Sequence, residues 1–265
     1  IRVPMKAHRI RRFSGGESQY VDDMVAREAI LKVDINEKIS FEVVLSPDQI
    51  DEFILGHLVS EGFIFDRKDI TSITKREEGN LLNATVKIEN LDDDRFHTMR
   101  RNYNMLWTEC GSSPNLMRMD DRFDIKVLDK LDMDVITGLQ KTMAGIFGDF
   151  KLTGAYHYCV LFDLDGSLIA HARDIGRHNA FDKLVGMAVG GELADFKNAM
   201  VFSTGRLSSD IVLKALRCGI PCVVSRSAPL EGAVKLANEH HLTLIGFLRG
   251  NRFNVYSNAG AFGPG

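Results

Sequence analysis

The sequence lacks most of the features that would set it apart from an ordinary globular protein. No apolar run approaches the roughly 20 residues a helix needs to cross a bilayer, so a membrane-spanning chain is not expected. The 33 Lys and Arg against 36 Asp and Glu leave a net charge of −3, without the basic excess that a general nucleic-acid binder carries. Only four cysteines occur in 265 residues, Cys110, Cys159, Cys218 and Cys222. They are too few and too scattered for a disulfide scaffold, which points to a reducing cytoplasm. The opening Ile1-Arg2-Val3-Pro4 has neither an initiator Met nor the apolar stretch of a secretory signal. No internal repeat or low-complexity tract is evident. What is present is a 45% hydrophobic and 26% charged composition, enough to bury a sizeable core.

Local patterns divide the chain in two. The first ~30 residues are basic and polar, with Arg9, Arg11 and Arg12 before Gly15-Gly16, and read as an arm or edge element. Alternation at Leu31, Val33 and Ile35, then Ile39, Phe41, Val43 and Leu45, predicts a hairpin about Asn36-Glu37-Lys38. A helix should follow, with Ser46 as cap, Pro47 in its first position, Gln49 completing a capping box, and a stop at Gly62. Strands over Ile70–Lys75 and Leu81–Ile88 complete a small α+β domain, residues 1–106. Residues 107–124 carry Cys110 in the aperiodic, turn-rich Trp107-Thr108-Glu109-Cys110-Gly111-Ser112-Ser113-Pro114 and read as an exposed loop. Residues 125–265 open with a helix over Val135–Phe147 and a hairpin about Asp165-Gly166. Three helix–strand units then follow, with strands at Ala199–Phe202, Cys222–Ser225 and Leu242–Leu248, and Phe253–Ser257 ends the sheet. That order predicts a layered α/β domain with a largely parallel sheet.

In such a sheet ligands gather beyond the carboxyl ends of the strands. The loops selected by that rule are Ser203-Thr204-Gly205-Arg206-Leu207-Ser208 and Arg226-Ser227-Ala228-Pro229. Each offers hydroxyls, an arginine and backbone N–H groups at a helix start, which suit an anion. The polar run from Asp174 to Lys183 and the turn Arg249-Gly250-Asn251-Arg252 add to a basin for a phosphate-bearing ligand. Ser208 and Ser227 also have a structural reading as helix N-caps, and His178 as an interior histidine. Cys159 and Cys222 lie in apolar strands and Cys218 at a helix end, as small core residues do. Cys110 sits in a loop where a nucleophilic thiol would be reachable, although the neighbouring Glu109 disfavours its thiolate.

The strings Gly176-Arg177-His178-Asn179-Ala180-Phe181-Asp182-Lys183, Ser203-Thr204-Gly205-Arg206, Gly219-Ile220-Pro221, Ser225-Arg226-Ser227-Ala228-Pro229 and Leu242-Thr243-Leu244-Ile245-Gly246-Phe247 resemble the motifs of the FdhD family. Leu55-Gly56-His57-Leu58 with Glu61-Gly62 extends the likeness through the first domain, so it covers the whole chain in one order. The resemblance implies a small α+β domain followed by a cytidine deaminase-like three-layer α/β/α domain. It implies a cytoplasmic sulfurtransferase that takes persulfide sulfur from a cysteine desulfurase on Cys110. The sulfur would pass to the molybdenum cofactor in its bis(molybdopterin guanine dinucleotide) form, the substrate, to activate a formate dehydrogenase apoenzyme. The family's cofactor-binding stretch maps to Phe247, Leu248, Arg249, Gly250, Asn251 and Arg252, and Asp174, His178, Asp182 and Arg206 are further candidate contacts. No intrinsic metal, nucleic acid or membrane partner is expected, and a homodimer is compatible with the sequence. Many family members carry Cys-Gly-x-Cys in the loop, but here the second position is Ser113, so a thiol pair within the loop is not available.

Two other readings differ in testable ways. A zinc deaminase needs His-x-Glu or Cys-x-Glu and then Pro-Cys-x-x-Cys, whereas here Ser225 replaces the second cysteine after Pro221-Cys222 and the upstream element is missing from the domain. A cofactor-binding chaperone would need the anion basin but not Cys110.

Overall fold

The computed structural model describes residues 3–79, 81–89, 123–191 and 195–263. Cys110 and residues 107–122 of the expected loop therefore lie outside the described residues. The chain starts with a two-stranded antiparallel ribbon, β1 (Met5–Ser14) and β2 (Glu17–Ala26), turning at Gly15-Gly16. This is the segment anticipated as an arm or edge element, and it forms a sheet of its own.

Next come β3 (Ala29–Ile35), β4 (Ile39–Leu45), the helix α1 (Ile50–Ser60), β5 (Ile70–Glu78) and β6 (Leu81–Ile88). The strands form one sheet in the order β4-β3-β6-β5, with β3 and β6 parallel and the outer pairs antiparallel. Alternation places Leu31, Val33 and Ile35 on the buried face with Phe41, Leu82, Ala84 and Val86. Helix α1 adds Phe53, Ile54 and Leu58 to the same cluster.

The start of α1 departs from expectation. Gln49, not Ser46, occupies the N-cap in a left-handed conformation with φ 53, and its side chain makes no capping bond. Ser46 is fully buried and its N–H and hydroxyl both donate to Asp174. The Ser-Pro-x-Gln string resembled a capping box because both uses demand a short hydroxyl side chain; the tertiary partner decided between them. The stop at Gly62 is as expected, with φ 71 just past the last turn.

The second part contains α2 (Met133–Ile146), α3 (Gly148–Thr153), β7 (His157–Asp163), β8 (Leu168–Asp174), α4 (Arg177–Gly190), β9 (Ala199–Ser203), α5 (Ser209–Arg217), β10 (Cys222–Ser225), α6 (Glu231–Glu239), β11 (Thr243–Arg249) and β12 (Arg252–Ser257). Its sheet runs β8-β7-β9-β10-β11-β12; β9, β10 and β11 are mutually parallel, and β7, β8 and β12 run antiparallel to their neighbours. Period-2 alternation splits the side chains between two cores. Val160, Phe162, Met200, Phe202, Val224 and Ile245 meet Ile136, Leu139 and Met143 of α2 on one face. Cys159, Leu161, Val201, Val223 and Leu244 meet α4, α5 and α6 on the other. Helices therefore cover both faces, giving three layers. The short α3, between Gly148 and Gly154, has no counterpart in the sequence reading, because six residues give too little periodicity to detect.

The core under α4 continues without a break into the first sheet. Helix α1 crosses α4 where two glycines face the opposing backbones. A Cβ on Gly56 would collide with the Asp182 carbonyl, and one on Gly186 with the Glu52 carbonyl. Only glycine permits backbones this close, and the crossing brings the polar side chains of both helices into one buried space.

Candidate functional site

The carboxyl ends of β9, β10 and β11 lie side by side, and their loops are tied together by hydrogen bonds. The Ser225 hydroxyl donates to the Gly205 carbonyl at 2.7 Å, and Ser225 Oγ accepts the Ser227 N–H at 2.9 Å. Gly205 N–H donates to Ser203 Oγ at 3.2 Å. Leu207 N–H donates to the Ala228 carbonyl and Leu230 N–H to that of Leu207, while Phe247 N–H donates to the Ser227 carbonyl at 3.1 Å. Thr204 Oγ1 accepts the Tyr158 N–H at 3.0 Å and sits 3.3 Å from His157 Nδ1, tying β7 to the same margin. Ser225 is thus a latch between two loops, while Ser203 holds the turn of its own loop. Cys222 and Ser225, at the positions a zinc deaminase fills with ligands, are both buried, the serine spent on these loop bonds.

From this margin Arg206, Arg226, Arg249 and Arg252 extend as exposed side chains. Arg249 Nε donates to the Arg226 carbonyl at 3.2 Å, and its guanidinium lies 5.6 Å from the Phe247 ring centroid. Phe247 has φ 54, an uncommon conformation for a side chain of this size, held by its bond to Ser227. Leu248 points the other way, almost fully buried in the α2-side core, so it anchors the stretch. Gln140 of α2 grips the hairpin tip, donating to the Gly250 carbonyl at 2.6 Å and accepting its N–H at 3.1 Å. Asn251 and Arg252 are exposed beside it. Gln140 was missed by sequence reasoning, since a single glutamine on a helix carries no local signal. At the next loop, Gly205 leaves room for Arg177, whose Cβ and Cδ would each stand 2.9 Å from a Cβ placed there.

Of the other candidates, His178 lies at the head of α4. Its Nε2 is 3.3 Å from Ser208 Oγ and 4.0 Å from Asp210 Oδ2. Burial, with Arg177 and Lys214 nearby, pushes its pKa down to about 4, so the ring is neutral at physiological pH. Burial and the negative Glu61 push Asp210 up to about 6. Ser208 faces His178 and makes no capping bond to α5, while Ser227 precedes the α6 cap position, which is Leu230. Neither serine is the side-chain N-cap that the structural reading allowed.

Asp174 and Asp182 lie inside the protein. Asp174 Oδ2 accepts the Ser46 N–H at 3.0 Å and hydroxyl at 2.8 Å and pairs with Lys183 Nζ at 2.7 Å. Its Oδ1 accepts from Gly176 N–H at 2.8 Å and Asn179 Nδ2 at 3.1 Å. Asp182, 2% exposed, meets His57 Nδ1 at 2.8 Å, Ser60 Oγ at 2.6 Å and Lys214 Nζ at 2.8 and 3.0 Å. Lys214 also pairs with Glu61 at 2.8 Å. Burial alone would raise the Asp182 pKa, but Lys214 and His57 hold it well below the usual carboxylate range. Both aspartates are occupied by protein partners, Asp182 at the junction of α1, α4 and α5 and Asp174 between the β4–α1 connection and the start of α4.

The three described cysteines make poor nucleophiles. Burial pushes the thiols of Cys159, Cys218 and Cys222 up to about 12.

Fold and margin together define a two-part α/β protein with an arginine-rich face at the ends of parallel strands. A solved structure from Desulfotalea psychrophila, described as a candidate formate dehydrogenase accessory protein, shares this fold. Its TM-score is 0.75 at 24% identity, over 98% of this chain and 100% of that one. The FdhD/NarQ family model matches residues 26–262, and the chain belongs to that family. Curated relatives include "Sulfur carrier protein FdhD" of Listeria monocytogenes, 32% identical over 94% of this chain and 95% of the relative. The protein of the same name from Bacillus subtilis is 33% identical over 93% of each. That of Sulfolobus acidocaldarius is 31% identical over 94% and 95%.

Proposed function

We propose that the chain is a sulfur carrier that accepts persulfide sulfur on Cys110 and delivers it to the bis(molybdopterin guanine dinucleotide) molybdenum cofactor for a formate dehydrogenase. In the loading step the Cys110 thiolate attacks the outer sulfur of a cysteine desulfurase persulfide. The donor's S–S bond breaks, the donor thiolate leaves, and Cys110 holds the sulfane sulfur. The observation that carries this reading is the family's sulfur-carrier relatives aligned over nearly the whole chain. The burial of Cys159, Cys218 and Cys222 supports it by leaving them as thiols at neutral pH. For the cofactor, the pyrophosphates of the guanine dinucleotides suit Arg206, Arg249 and Arg252, which offer charge-assisted hydrogen bonds at an exposed edge. Phe247 offers an aromatic face, Gly250 and Asn251 form the tip, and Leu248 anchors it. His178 is the neutral polar group at the rim, while Asp174 and Asp182 keep α4 in place from behind.

The test separates loading from binding. After incubation with a desulfurase and cysteine, mass spectrometry of the full chain should show one added sulfur atom, mapped to the peptide holding Cys110 and absent from Cys110→Ala. The same variant should keep its affinity for a guanosine diphosphate probe, whereas Arg206→Ala with Arg249→Ala should lose about tenfold or more. Sulfur found on a buried cysteine, or transfer unchanged in Cys110→Ala, would overturn the carrier reading and leave a cofactor-binding chaperone.

A further inference from the structure

The hairpin tip is the part of the arginine margin least supported by its own sheet. Strands β11 and β12 pair as far as Gly246 and Asn254, and there the register shifts, setting Phe247 and Leu248 of β11 against Phe253 alone. Beyond that bulge one ladder pair remains, Arg249 with Arg252, and Gly250-Asn251 close the turn. This last pair sets two arginines opposite one another, and like charges directly across a ladder destabilise it. No acidic residue stands between Thr243 and Ser257 to offset them. Left to itself, such a tip would fray and let the arginines splay apart.

The support comes from outside the sheet. Gln140 donates from Nε2 to the Gly250 carbonyl at 2.6 Å and accepts the Gly250 N–H on Oε1 at 3.1 Å. One amide thus exchanges both bonds with one residue, as a paired strand residue does. At neutral pH only a side-chain amide offers donor and acceptor side by side in one plane. Its mount is rigid, because Ile136, Leu139 and Met143 of α2 lie in the core that also buries Leu248. Strand alternation turns Leu248 and Phe253 toward α2, and Arg249 and Arg252 toward the opposite face. Gln140 therefore holds the tip from behind and stands in front of neither guanidinium. Arg249 Nε also donates to the Arg226 carbonyl at 3.2 Å, so the clamp matters most for Arg252.

We propose that Gln140 is the positioning residue of the margin's anion site, clamping the Gly250 turn so that Arg249 and Arg252 stay paired for a ligand with two adjacent phosphates. This rests on the reading of the hairpin as an anion-binding stretch and adds the source of its selectivity. One guanidinium can meet a single phosphate, whereas a diphosphate engages two at once. An anion that bridges the pair also relieves its repulsion. The preference for a diphosphate then depends on the two arginines being held in register, and not on their charge alone.

Isothermal titration of the full chain with guanosine diphosphate and with guanosine monophosphate tests this. The unaltered chain should bind the diphosphate about tenfold or more tightly than the monophosphate. Gln140→Met keeps the length and helix propensity of glutamine and removes both hydrogen bonds. It should lower diphosphate affinity about tenfold and monophosphate affinity less than about twofold. Its urea-unfolding midpoint should stay near that of the unaltered chain, and Gln140→Leu should repeat the result. Arg252→Ala should erase the same preference, and adding Gln140→Met to it should cost nothing further, because the clamp acts through that arginine. If Arg249→Ala and Arg252→Ala leave diphosphate binding unchanged, the hairpin is no anion site, and that reading and this proposal fall together. Three results overturn the positioning role alone while the arginine variants still weaken binding. They are a Gln140→Met protein that binds the diphosphate as tightly as the unaltered chain, one that loses both nucleotides equally, and losses that add in the double variant.

Discussion

Lys214→Met should destabilise the protein by about 3–5 kcal/mol at neutral pH, because it leaves the buried Asp182 carboxylate without its lysine, whereas Glu61 keeps Arg217. Lys214 Nζ stands 2.8 Å from Glu61, 2.8 and 3.0 Å from the two Asp182 oxygens and 2.9 Å from Ser60 Oγ. Methionine keeps the apolar stem and removes only the charge and its donors. Against a total of about 5–15 kcal/mol for a typical protein, that loss is large enough to measure by urea unfolding. The pH dependence separates charge from packing. The Asp182 pKa lies below its ordinary value in the folded chain, so its contribution is complete above the unfolded pKa of about 3.9 and is lost as pH falls through the folded value. In the variant, burial is no longer opposed by Lys214, and the carboxyl takes up a proton at a higher pH on folding. The deficit against the unaltered chain should therefore shrink between about pH 7 and about pH 4. A loss under about 1 kcal/mol, or one that does not change with pH, would refute the account of this cluster as mutually compensating buried charges.

Gly186→Ala should cost about 1–3 kcal/mol or more by pushing α1 off α4. The matched Gly138→Ala on α2, where a Cβ meets nothing within 4 Å, should instead stabilise by about 0.5–1 kcal/mol in the same unfolding assay. His178 binds fewer protons folded than unfolded between about 4 and its ordinary pKa near 6.5, so it makes stability rise with pH across that window. His178→Gln should flatten that slope by up to about 1.4 kcal/mol per pH unit, read from unfolding titrations.

Elements with a clear period and a buried face could be read from the residues. Strand β10 and helix α5 fall on Cys222–Ser225 and Ser209–Arg217 as expected, and the loops after β9 and β10 lie together at one margin. The arginines there were legible because loops after parallel strands are placed by topology. The polar run from Asp174 to Lys183 was harder. Asp174 and Asp182 look like ligand contacts in sequence, but their partners Ser46, His57, Ser60 and Lys214 lie up to 128 residues away. Long-range ion pairs leave no local pattern, so buried structural carboxylates and binding carboxylates share one signature. The Gly56–Gly186 crossing was hidden for the same reason: each glycine is unremarkable until the other helix is placed.

Those long-range ties explain why a separate sheet is attached to the domain that carries the arginine margin. Helix α4 carries Arg177 and His178 at its head, near Gly205 and Ser208 of the arginine margin. The same helix carries Asp182, Lys183 and Gly186 along its length, and each engages the first sheet's unit: Asp182 through His57 and Ser60, Lys183 through Ser46 and Asp48, Gly186 through α1. Asp174, at the end of β8, is bound to Ser46 as well, so the turn into α4 is fixed on both sides. Buried ion pairs stabilise weakly in net terms but penalise any geometry that separates them. The clusters therefore act chiefly on position. They fix where the head of α4 stands relative to the loops after β9 and β10, which a purely apolar interface, tolerant of small slides, would do less sharply.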